Sequence, residues 1–298
     1  MDHAARPWII AVILGLLALS PAQAGMTPEE VKALEGYKEK ALKGDPVAQT
    51  ILGACYVVGR GAAKDPREAV KWWRMAAEQG NAFAQYNLGV SHEDGQGVEK
   101  NLVEAVKWYR KSADQGNADA QYNLGLCYYR SKGAAWDQVE AVKWWRMAAE
   151  QGNNRARNSL GVCYEKGQGV EKDQVVAVSW FRKAADEGFA EAQHNLGSYY
   201  QRGAGAPENP VESVKWYRKA ADQGYSPSQA MMGLCYGIGY GVIKDEVEAY
   251  AYYSLSSVTH GAKLRESLGK RMAPEALLRG QQRAKELQRE ITARLERK

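Results

Sequence analysis

The sequence is poor in histidine and phenylalanine. Its 298 residues include four His and three Phe, whereas Tyr and Trp together number 26. His3, His92, His194 and His260 stand far apart, and no His-x-x-x-His or Cys-x-x-Cys pair occurs. Because zinc sites are built from closely spaced His and Cys ligands, the sequence predicts no metal site. It contains no recognisable motif for any other cofactor.

Long apolar runs are absent beyond residue 24. The first 24 residues, MDHAARPWIIAVILGLLALSPAQA, have Arg6 in a short polar start, an apolar run over 8–19 and the small-residue ending Ala-Gln-Ala at 22–24. Such a run is too short to span a bilayer and is typical of a secretory signal peptide. We predict cleavage after Ala24 and export to the periplasm or the exterior of a bacterial cell, with an uncleaved anchor as the alternative. No integral membrane segment is predicted in the remainder.

Acidic residues are scarce at the C-terminus. The stretch from Lys263 to Lys298 has eleven Lys and Arg against five Glu, a net of +6, while the whole chain carries +5. The body is therefore nearly neutral, and no nucleic-acid partner is predicted. A basic tail can make a weak contact with an anionic surface, and a solvated face of mixed charge is the alternative.

Insertions are also absent from the middle of the chain, where similar segments recur at a constant interval of 36 residues. The stretch EAVKWWRMAAEQG occurs at 68–80 and again, unchanged, at 140–152. Two series of glycines recur every 36 residues: Gly44, Gly80, Gly116, Gly152, Gly188 and Gly224, and then Gly53, Gly89, Gly125, Gly161, Gly197 and Gly233. Six units follow: 45–80, 81–116, 117–152, 153–188, 189–224 and 225–260.

Each unit is predicted to form two helices. The second begins after an N-cap Asp or Asn, namely Asp65, Asn101, Asp137, Asp173, Asn209 and Asp245. Glu stands three residues later in every unit except the fourth, which has Val176, and this spacing predicts a reciprocal capping box. Pro66 and Pro210 stand at the first helical position. The Gly44 series is expected to end the second helices in a left-handed conformation.

Two aromatic columns run through the second helices. The first is Trp72, Trp108, Trp144, Trp180, Trp216 and Tyr252, and the next is Trp73, Tyr109, Trp145, Phe181, Tyr217 and Tyr253. The apolar residues recur at i, i+3, i+4, i+7 and i+8, which is one face of a helix. Because a single helical pair cannot bury such a face alone, stacked repeats are predicted to bury it together. The aromatic columns are therefore interpreted as core rather than as a cofactor site.

These residues resemble the Sel-one-like repeat family. The residues AQYNLGLCYY, a Gly-x-Gly loop, Lys-Asp and EAVKWYRKSADQG (104–116), at a 36-residue step, carry the resemblance over 45–260. It implies an all-α fold, a right-handed α-α superhelical solenoid of tetratricopeptide type, whose members are mostly adaptors and scaffolds. Residues 25–44 resemble a partial leading repeat, and 261–298 resemble the closing helices, in which Leu277, Ala284, Leu287 and Ile291 are expected to seal the last unit.

Cysteine departs from the pattern of some exported relatives, which have two cysteines per unit. Here Cys55, Cys127, Cys163 and Cys235 share one repeat position, and only Cys127 and Cys163 are in adjacent units. Packed helices lie about 8–10 Å apart, whereas a disulfide needs Cα atoms less than about 7 Å apart. We predict four reduced thiols facing the core and no disulfide. The penicillin-binding activity of the cysteine-rich relatives is therefore not carried over.

Catalytic motifs are weak. The Gly-x-Gly loops follow helices and recur in four units, which indicates turns rather than a phosphate site. Ser267 and Lys270 match Ser-x-x-Lys, the acylating pair of penicillin-recognising enzymes, but Ser-Asp-Asn and Lys-Thr-Gly are absent. The adjacent acids Glu93 and Asp94 are interpreted as solvated. No catalytic residue is predicted.

A candidate binding column lies on the first helices. If the chain follows tetratricopeptide geometry, the residue three before each glycine of the Gly53 series faces the concave groove. This column varies between units, and its members Tyr86, Tyr122, Asn158 and His194 are of types favoured at interfaces. At the ends of the same helices, Arg130, Lys166 and Arg202 form a basic strip. We predict that these seven residues contact an extended or acidic protein segment, with a water-filled groove as the alternative.

The sequence thus favours an exported, non-enzymatic scaffold that binds an unidentified protein through its concave face. A β-lactam- or cell-wall-active enzyme and an envelope-associated structural protein are the alternatives.

Overall fold

The fold is entirely helical over residues 28–297, which are the residues that the computed structural model describes. The helices are α1 (Pro28–Leu42), α2 (Pro46–Val58), α3 (Pro66–Glu78), α4 (Ala82–Asp94), α5 (Leu102–Asp114), α6 (Ala118–Tyr129), α7 (Gln138–Glu150), α8 (Asn154–Lys166), α9 (Gln174–Asp186), α10 (Ala190–Arg202), α11 (Pro210–Ala221), α12 (Ser226–Ile238), α13 (Glu246–Leu255), α14 (Thr259–Gly269) and α15 (Pro274–Glu296). The predicted class, an α-α solenoid of helical hairpins, is confirmed.

The described chain divides into two compact units, one ending at Gln151 and the other beginning at Gly152. The first contains α1 to α7, and the second contains α8 to α15. In each unit successive helices pack side by side as antiparallel hairpins. None of the described helices is long and apolar enough to cross a membrane. The predicted signal peptide, residues 1–24, lies outside the described residues.

The predicted helix starts are confirmed. Asp65 accepts hydrogen bonds from the amides of Arg67 and Glu68, at 3.0 and 3.1 Å. The other five predicted N-caps do the same for one or two amides of their own first turns. At the other end of the second helices, the glycines of the Gly44 series have φ between 80° and 93°. These signals place the hairpins in the register that the sequence indicates.

The predicted reciprocal capping box is wrong. The amide of the N-cap residue is already bound by the preceding helix, since the Asp65 amide donates to the Tyr56 carbonyl at 2.9 Å. The glutamate three residues on turns instead to a lysine one turn along its own helix, as in the 2.7 Å contact between Glu68 and Lys71. Equivalent pairs are Glu104 with Lys107, Glu140 with Lys143 and Glu212 with Lys215.

The second aromatic column forms the core, and it packs on the Gly53 series. A Cβ added to Gly125 would lie 2.5 Å from Nε1 of Trp145. Gly53, Gly89, Gly161, Gly197 and Gly233 meet Trp73, Tyr109, Phe181, Tyr217 and Tyr253 in the same way, at 2.5–2.9 Å. These glycines lie within helices, so they are needed for close approach rather than for a left-handed backbone. All six of these aromatic rings are buried.

The first aromatic column is only partly buried. Trp144, Trp216 and Tyr252 are buried, whereas Trp72, Trp108 and Trp180 are half-exposed. The ammonium groups of Lys111 and Lys183 lie 4.2 and 4.3 Å from the ring centroids of Trp108 and Trp180. A lysine stem can shield an indole face while its charge stays in water. The prediction that both columns are core is therefore confirmed for the second and holds for half of the first.

The last helix seals the second unit as expected. Leu287 and Ile291 of α15 are buried, and Leu277 and Ala284 pack beside the core. Gly280 allows α15 to approach α13, because an added Cβ would lie 2.9 Å from the Tyr250 ring. The tail is thus an integral part of the fold.

The four thiols lie in the core and are free. Burial raises the pKa of Cys127 and of Cys163 to about 12. It raises the pKa of Cys235 to about 11, and it also raises the pKa of Cys55.

Candidate partner-binding surface

The candidate column in the first unit consists of Tyr86 on α4 and Tyr122 on α6. Both side chains are half-buried, and each rests on the core ring of its own repeat. The Tyr86 and Tyr109 ring centroids are 6.0 Å apart, and those of Tyr122 and Trp145 are 6.5 Å apart. The Trp145 indole also donates to the Tyr122 carbonyl at 3.1 Å. Each tyrosine therefore has one packed face, and part of its surface remains accessible to a partner.

Beside Tyr86 lies an open apolar cavity of about 280 Å³, which we call the first-junction slot. It lies where α2 of the first repeat meets α4 of the second. It is lined by Ala54, Val57, Val58, Pro66, Trp73, Tyr86, Asn87, Val90, Ser91 and Gln96. A cleft of roughly this size, apolar with a few polar groups at its edge, is the usual form of a ligand site.

The apolar character of the slot follows from the ring beneath it. Tyr109 donates its hydroxyl to Glu93 at 2.8 Å, and Tyr217 donates to Gln201 at 2.9 Å. Trp73, at the equivalent position, has no hydroxyl, and its indole donates to the Thr50 carbonyl at 3.1 Å. Val57 occupies the repeat position of the acceptors Glu93 and Gln201. No acceptor is required there, because Trp73 has no hydroxyl to donate. In the first repeat, a ring without a hydroxyl and a valine thus leave an apolar surface. The relation is not general, since Phe181 stands in register with Glu165 and Tyr253 with Gly237.

Asn87 supplies a polar group at the slot. Its side chain is half-buried and makes no hydrogen bond with the described residues. In the second unit the equivalent Asn195 donates to Asn158 at 2.9 Å. A carboxamide has one acceptor oxygen and two N–H donors, so it matches the acceptor and donor of a peptide group. The slot thus combines an apolar recess with a group suited to a backbone.

The candidate residues Asn158 and His194 of the second unit make more contacts within the fold than the two tyrosines do. Asn158 on α8 is buried, and its oxygen accepts the Asn195 bond. His194 on α10 is half-buried, with its ring centroid 5.3 Å from that of Tyr217 and 5.5 Å from that of Tyr225. Burial lowers the pKa of His194 to about 4. Neither side chain is free of packing, so the premise that this column varies because it is unconstrained is wrong here.

His194 also forms a Ser–His contact, but it does not form a catalytic site. Its Nδ1 lies 2.9 Å from Oγ of Ser228. Ser228 is fully buried in the first turn of α12, so a substrate carbonyl cannot reach its hydroxyl. The contact therefore fixes the ring orientation between two neighbouring repeats.

The basic residues lie at the ends of the first helices and are exposed. Arg130 is the C-cap of α6, and Lys166 is the last residue of α8. Arg202 at the end of α10 donates to Glu165 at 3.0 Å and lies over the Tyr199 ring at 4.8 Å. The charge of Arg202 is therefore balanced within the fold, so the basic strip of the second unit is weaker than the sequence suggests.

Glu93 differs from its predicted role as a solvated acid. It accepts the Tyr109 hydroxyl, and it lies 3.5 Å from the Lys132 ammonium group. Together with burial, it raises the pKa of Tyr109 well above its usual range. Its neighbour Asp94 is exposed.

The Ser-x-x-Lys match lies on an open helix. Ser267 on α14 and Lys270 at its C-cap are both exposed, and Lys270 pairs with Glu266 at 2.6 Å. In the described part of the chain, no group of three or more His, Cys, Asp and Glu could hold a metal ion.

Sequence reasoning missed the slot residues Val57, Val58 and Asn87. Their signal lies in the comparison of units. Val57 aligns with Glu93, Tyr129, Glu165, Gln201 and Gly237, so it is the aliphatic exception in its column. The meaning of this exception follows from the structure, where Tyr109 donates to Glu93 while Val57 lines the slot beside Trp73.

Comparison with known proteins agrees with the repeat architecture. A family model of the Sel1 repeat matches six consecutive segments, residues 46–81, 82–117, 118–153, 154–189, 190–225 and 226–257. A search of curated proteins finds no match.

Two solved structures are similar over most of the chain. A protective antigen present in uropathogenic Escherichia coli strains, which displays an SLR fold, is 36% identical with a TM-score of 0.76, over 85% of this chain and 56% of that protein. A Sel1 repeat protein from Oxalobacter formigenes is 35% identical with a TM-score of 0.68, over 78% of this chain and 89% of that protein. The chain thus spans little more than half the length of the first protein.

Proposed function

The chain belongs to the Sel1 repeat family, whose helical solenoids typically mediate protein–protein interaction, and from this premise we propose that it is an exported, non-enzymatic scaffold. Its partner is a protein segment held against the first helices. Tyr86 and Tyr122 are the proposed contacts in the first unit, with Arg130 at the helix end. In the second unit the proposed contacts are the half-buried His194 and the exposed Lys166 and Arg202, whereas the predicted contact Asn158 is buried and is not proposed.

The observation that carries this proposal is the first-junction slot. Its walls are aliphatic and aromatic, it is open to solvent, and Asn87 stands at it with an unpaired carboxamide. An extended segment fits this arrangement if one bulky apolar side chain enters the slot and its backbone pairs with Asn87. Burial of such a side chain contributes about 1.5–3 kcal/mol, and the surrounding groove supplies the remainder.

Export is supported by the first 24 residues, which have the polar start, short apolar run and small-residue ending of a signal peptide. The proposed location is the periplasm or the cell exterior. N-terminal sequencing of the protein recovered from cells tests this step. A chain that begins at Gly25 is the expected result, and an intact Met1 in the cytoplasm would contradict it.

Site-specific photo-cross-linking in intact cells tests the binding face. A photoreactive residue at Val58, beside the slot, is expected to give a discrete protein adduct. The matched control is the same residue at Lys71, which is exposed on α3. The slot variant Val57→Asp is expected to remove the Val58 adduct. Because Val57 also packs on the core beside Trp73, circular dichroism must show that the variant is still folded. Equal adducts from both positions, or an adduct that survives Val57→Asp, would contradict a groove-bound partner.

The enzymatic alternative has its own test. The described structure offers no accessible pair of nucleophile and base at either candidate. Lys270, the partner of Ser267, is paired with Glu266, and Ser228 is buried. Purified protein is therefore expected not to hydrolyse a chromogenic cephalosporin. Turnover that is lost in Ser267→Ala would overturn the non-enzymatic assignment.

A further inference from the structure

The C-terminal helices keep a net positive charge when their ion pairs are set aside. Glu266 accepts from Lys270 at 2.6 Å. Arg283 lies 3.1 Å from Glu290 and 3.6 Å from Glu286. Arg283 also donates to Glu248 on α13 at 2.7 Å. These pairs neutralise cations as well as acids, so the net charge of the tail is judged from the groups that remain.

The remaining charges are strongly one-sided. The other exposed cations from 263 to 297 are Lys263, Arg265, Arg271, Arg279, Lys285, Arg289 and Arg297. Arg294 is bound to Asp222, the C-cap residue of α11, and is not among them. Against these seven cations stand two exposed acids, Glu275 and Glu296. A surface of this composition attracts anions over about 10 Å at 0.1 M salt.

The fold fixes which side of α15 faces outward. Gly280, Leu287 and Ile291 are buried and define the inner face. Opposite them, at i, i+4, i+7 and i+11, stand Leu278, Gln282, Lys285 and Arg289, which are all exposed. Leu278 is 66% exposed although it is a large aliphatic residue. The outward stripe therefore has an apolar residue at one end and two cations at the other.

We propose that α15 docks on the surface of a lipid bilayer that contains anionic phospholipid. Lys285, Arg289 and the flanking Arg279 contact the headgroup phosphates, and Leu278 reaches the boundary with the acyl chains. Each Lys or Arg near such a surface contributes about 1 kcal/mol, which is roughly fivefold in affinity. Because α15 also closes the core of the second unit, docking would hold the folded scaffold at the membrane.

The exposed leucine is the reason to choose a bilayer over a soluble polyanion. A polyanion in water offers no apolar phase, so Leu278 would contribute nothing to that contact. Interfacial helices combine cations with apolar residues that enter the headgroup region. The surface differs from the first-junction slot in unit and in chemistry, so the membrane proposal does not depend on the protein partner.

Vesicle co-sedimentation of the chain from Gly25 onward tests this proposal. That chain contains every residue that the structure describes and lacks the apolar run of 8–19. Binding is expected to phosphatidylcholine vesicles that contain phosphatidylglycerol and not to phosphatidylcholine alone. It is expected to fall as salt is raised from about 0.1 M to about 1 M, which shortens the screening length to about 3 Å. The triple variant Arg279→Gln, Lys285→Gln, Arg289→Gln is expected to bind roughly 100-fold more weakly.

The matched control removes the same charge elsewhere. Lys71→Gln, Lys107→Gln and Lys143→Gln lie on exposed positions of the first unit, and the control triple variant is expected to retain vesicle binding. Leu278→Ser is expected to weaken binding to vesicles while leaving binding to inorganic polyphosphate unchanged. Equal loss in both triple variants would show a general charge effect and overturn the proposal. Polyphosphate binding as tight as vesicle binding, with no effect of Leu278→Ser, would overturn the choice of a bilayer.

Discussion

The indole of Trp145 packs against Gly125 so closely that a methyl group on the glycine would stand 2.5 Å from the ring nitrogen. The same contact joins a glycine and a ring in each of the other five repeats. The glycine and the ring come from the two helices of one hairpin, so the contact sets the distance between those helices. Each hairpin therefore needs a glycine on its first helix and a large aromatic ring on its second.

Gly125→Ala tests this contact. The new methyl group forces the ring or the helix to move, and overpacking of this kind costs about 1–3 kcal/mol. Gly36→Ala on α1 is the control, because nothing lies within 4 Å of an added Cβ there. In a helix interior that change is expected to stabilise by about 0.5–1 kcal/mol. Urea unfolding measures both, and equal effects would show that the ring contact is not a constraint.

The bond between Tyr109 and Glu93 gives a second prediction. A hydrogen bond to a charged group contributes about 1.5–3 kcal/mol, and Tyr109→Phe leaves a half-buried carboxylate without this donor. We expect Tyr109→Phe to destabilise, and the double variant Tyr109→Phe with Glu93→Val to be less destabilised than the sum of the single changes. The pairing of Trp73 with Val57 in the first repeat is the natural precedent. Strict additivity in a double-mutant cycle would contradict the explanation of the slot.

His194 gives a pH-dependent prediction. Its pKa is lowered by burial from 6.5 to about 4, so at intermediate pH the unfolded chain binds a proton that the folded chain does not. Its stabilising contribution is full above about pH 6.5 and is lost as the pH falls toward about 4. His194→Asn, which copies Asn158, is expected to reduce the slope of stability against pH in this window. His260→Asn, at an exposed position, is the control. An unchanged slope in His194→Asn would contradict the prediction.

The four buried thiols give a prediction about reactivity. The thiolate is the reactive form, and pKa values of about 12 for Cys127 and Cys163 leave almost none at neutral pH. A thiol reagent is expected to label none of the four in the native protein and all four in denaturant. Lys71→Cys, at an exposed position, is expected to add one rapidly labelled thiol to the native protein. Fast native labelling without that substitution would show that the core opens readily.

The repeat register and the helix ends could be predicted because they depend on residues that are close together in the sequence. An Asp such as Asp65 needs only its own first turn to act as a cap, and the Gly44 series needs only its own backbone conformation. The capping box failed because the amide of Asp65 is bound by Tyr56, nine residues earlier, and a pattern of three-residue spacing contains no information about that bond.

The candidate site was harder to predict because its properties depend on contacts between helices. Tyr86 and Asn158 occupy the same column, yet their environments differ. Tyr86 is half-buried, whereas Asn158 is buried and accepts a hydrogen bond from Asn195. The first-junction slot depends on the absence of a hydroxyl on Trp73, which lies on a different helix. Variation along a column indicates where to look, but it does not distinguish a free side chain from one that has found another partner.

The side-chain bonds that close each hairpin span short stretches of chain. Gln79 reaches Gln49 and Gln115 reaches Gln85, each across 30 residues, and Trp73 reaches Thr50 across 23. A chain stretched between its ends is therefore expected to lose one hairpin at a time rather than to rupture as a whole. Each event would release 36 residues, a length gain of roughly 120 Å when fully extended. Under load, the protein would behave as a series of equal extensible links.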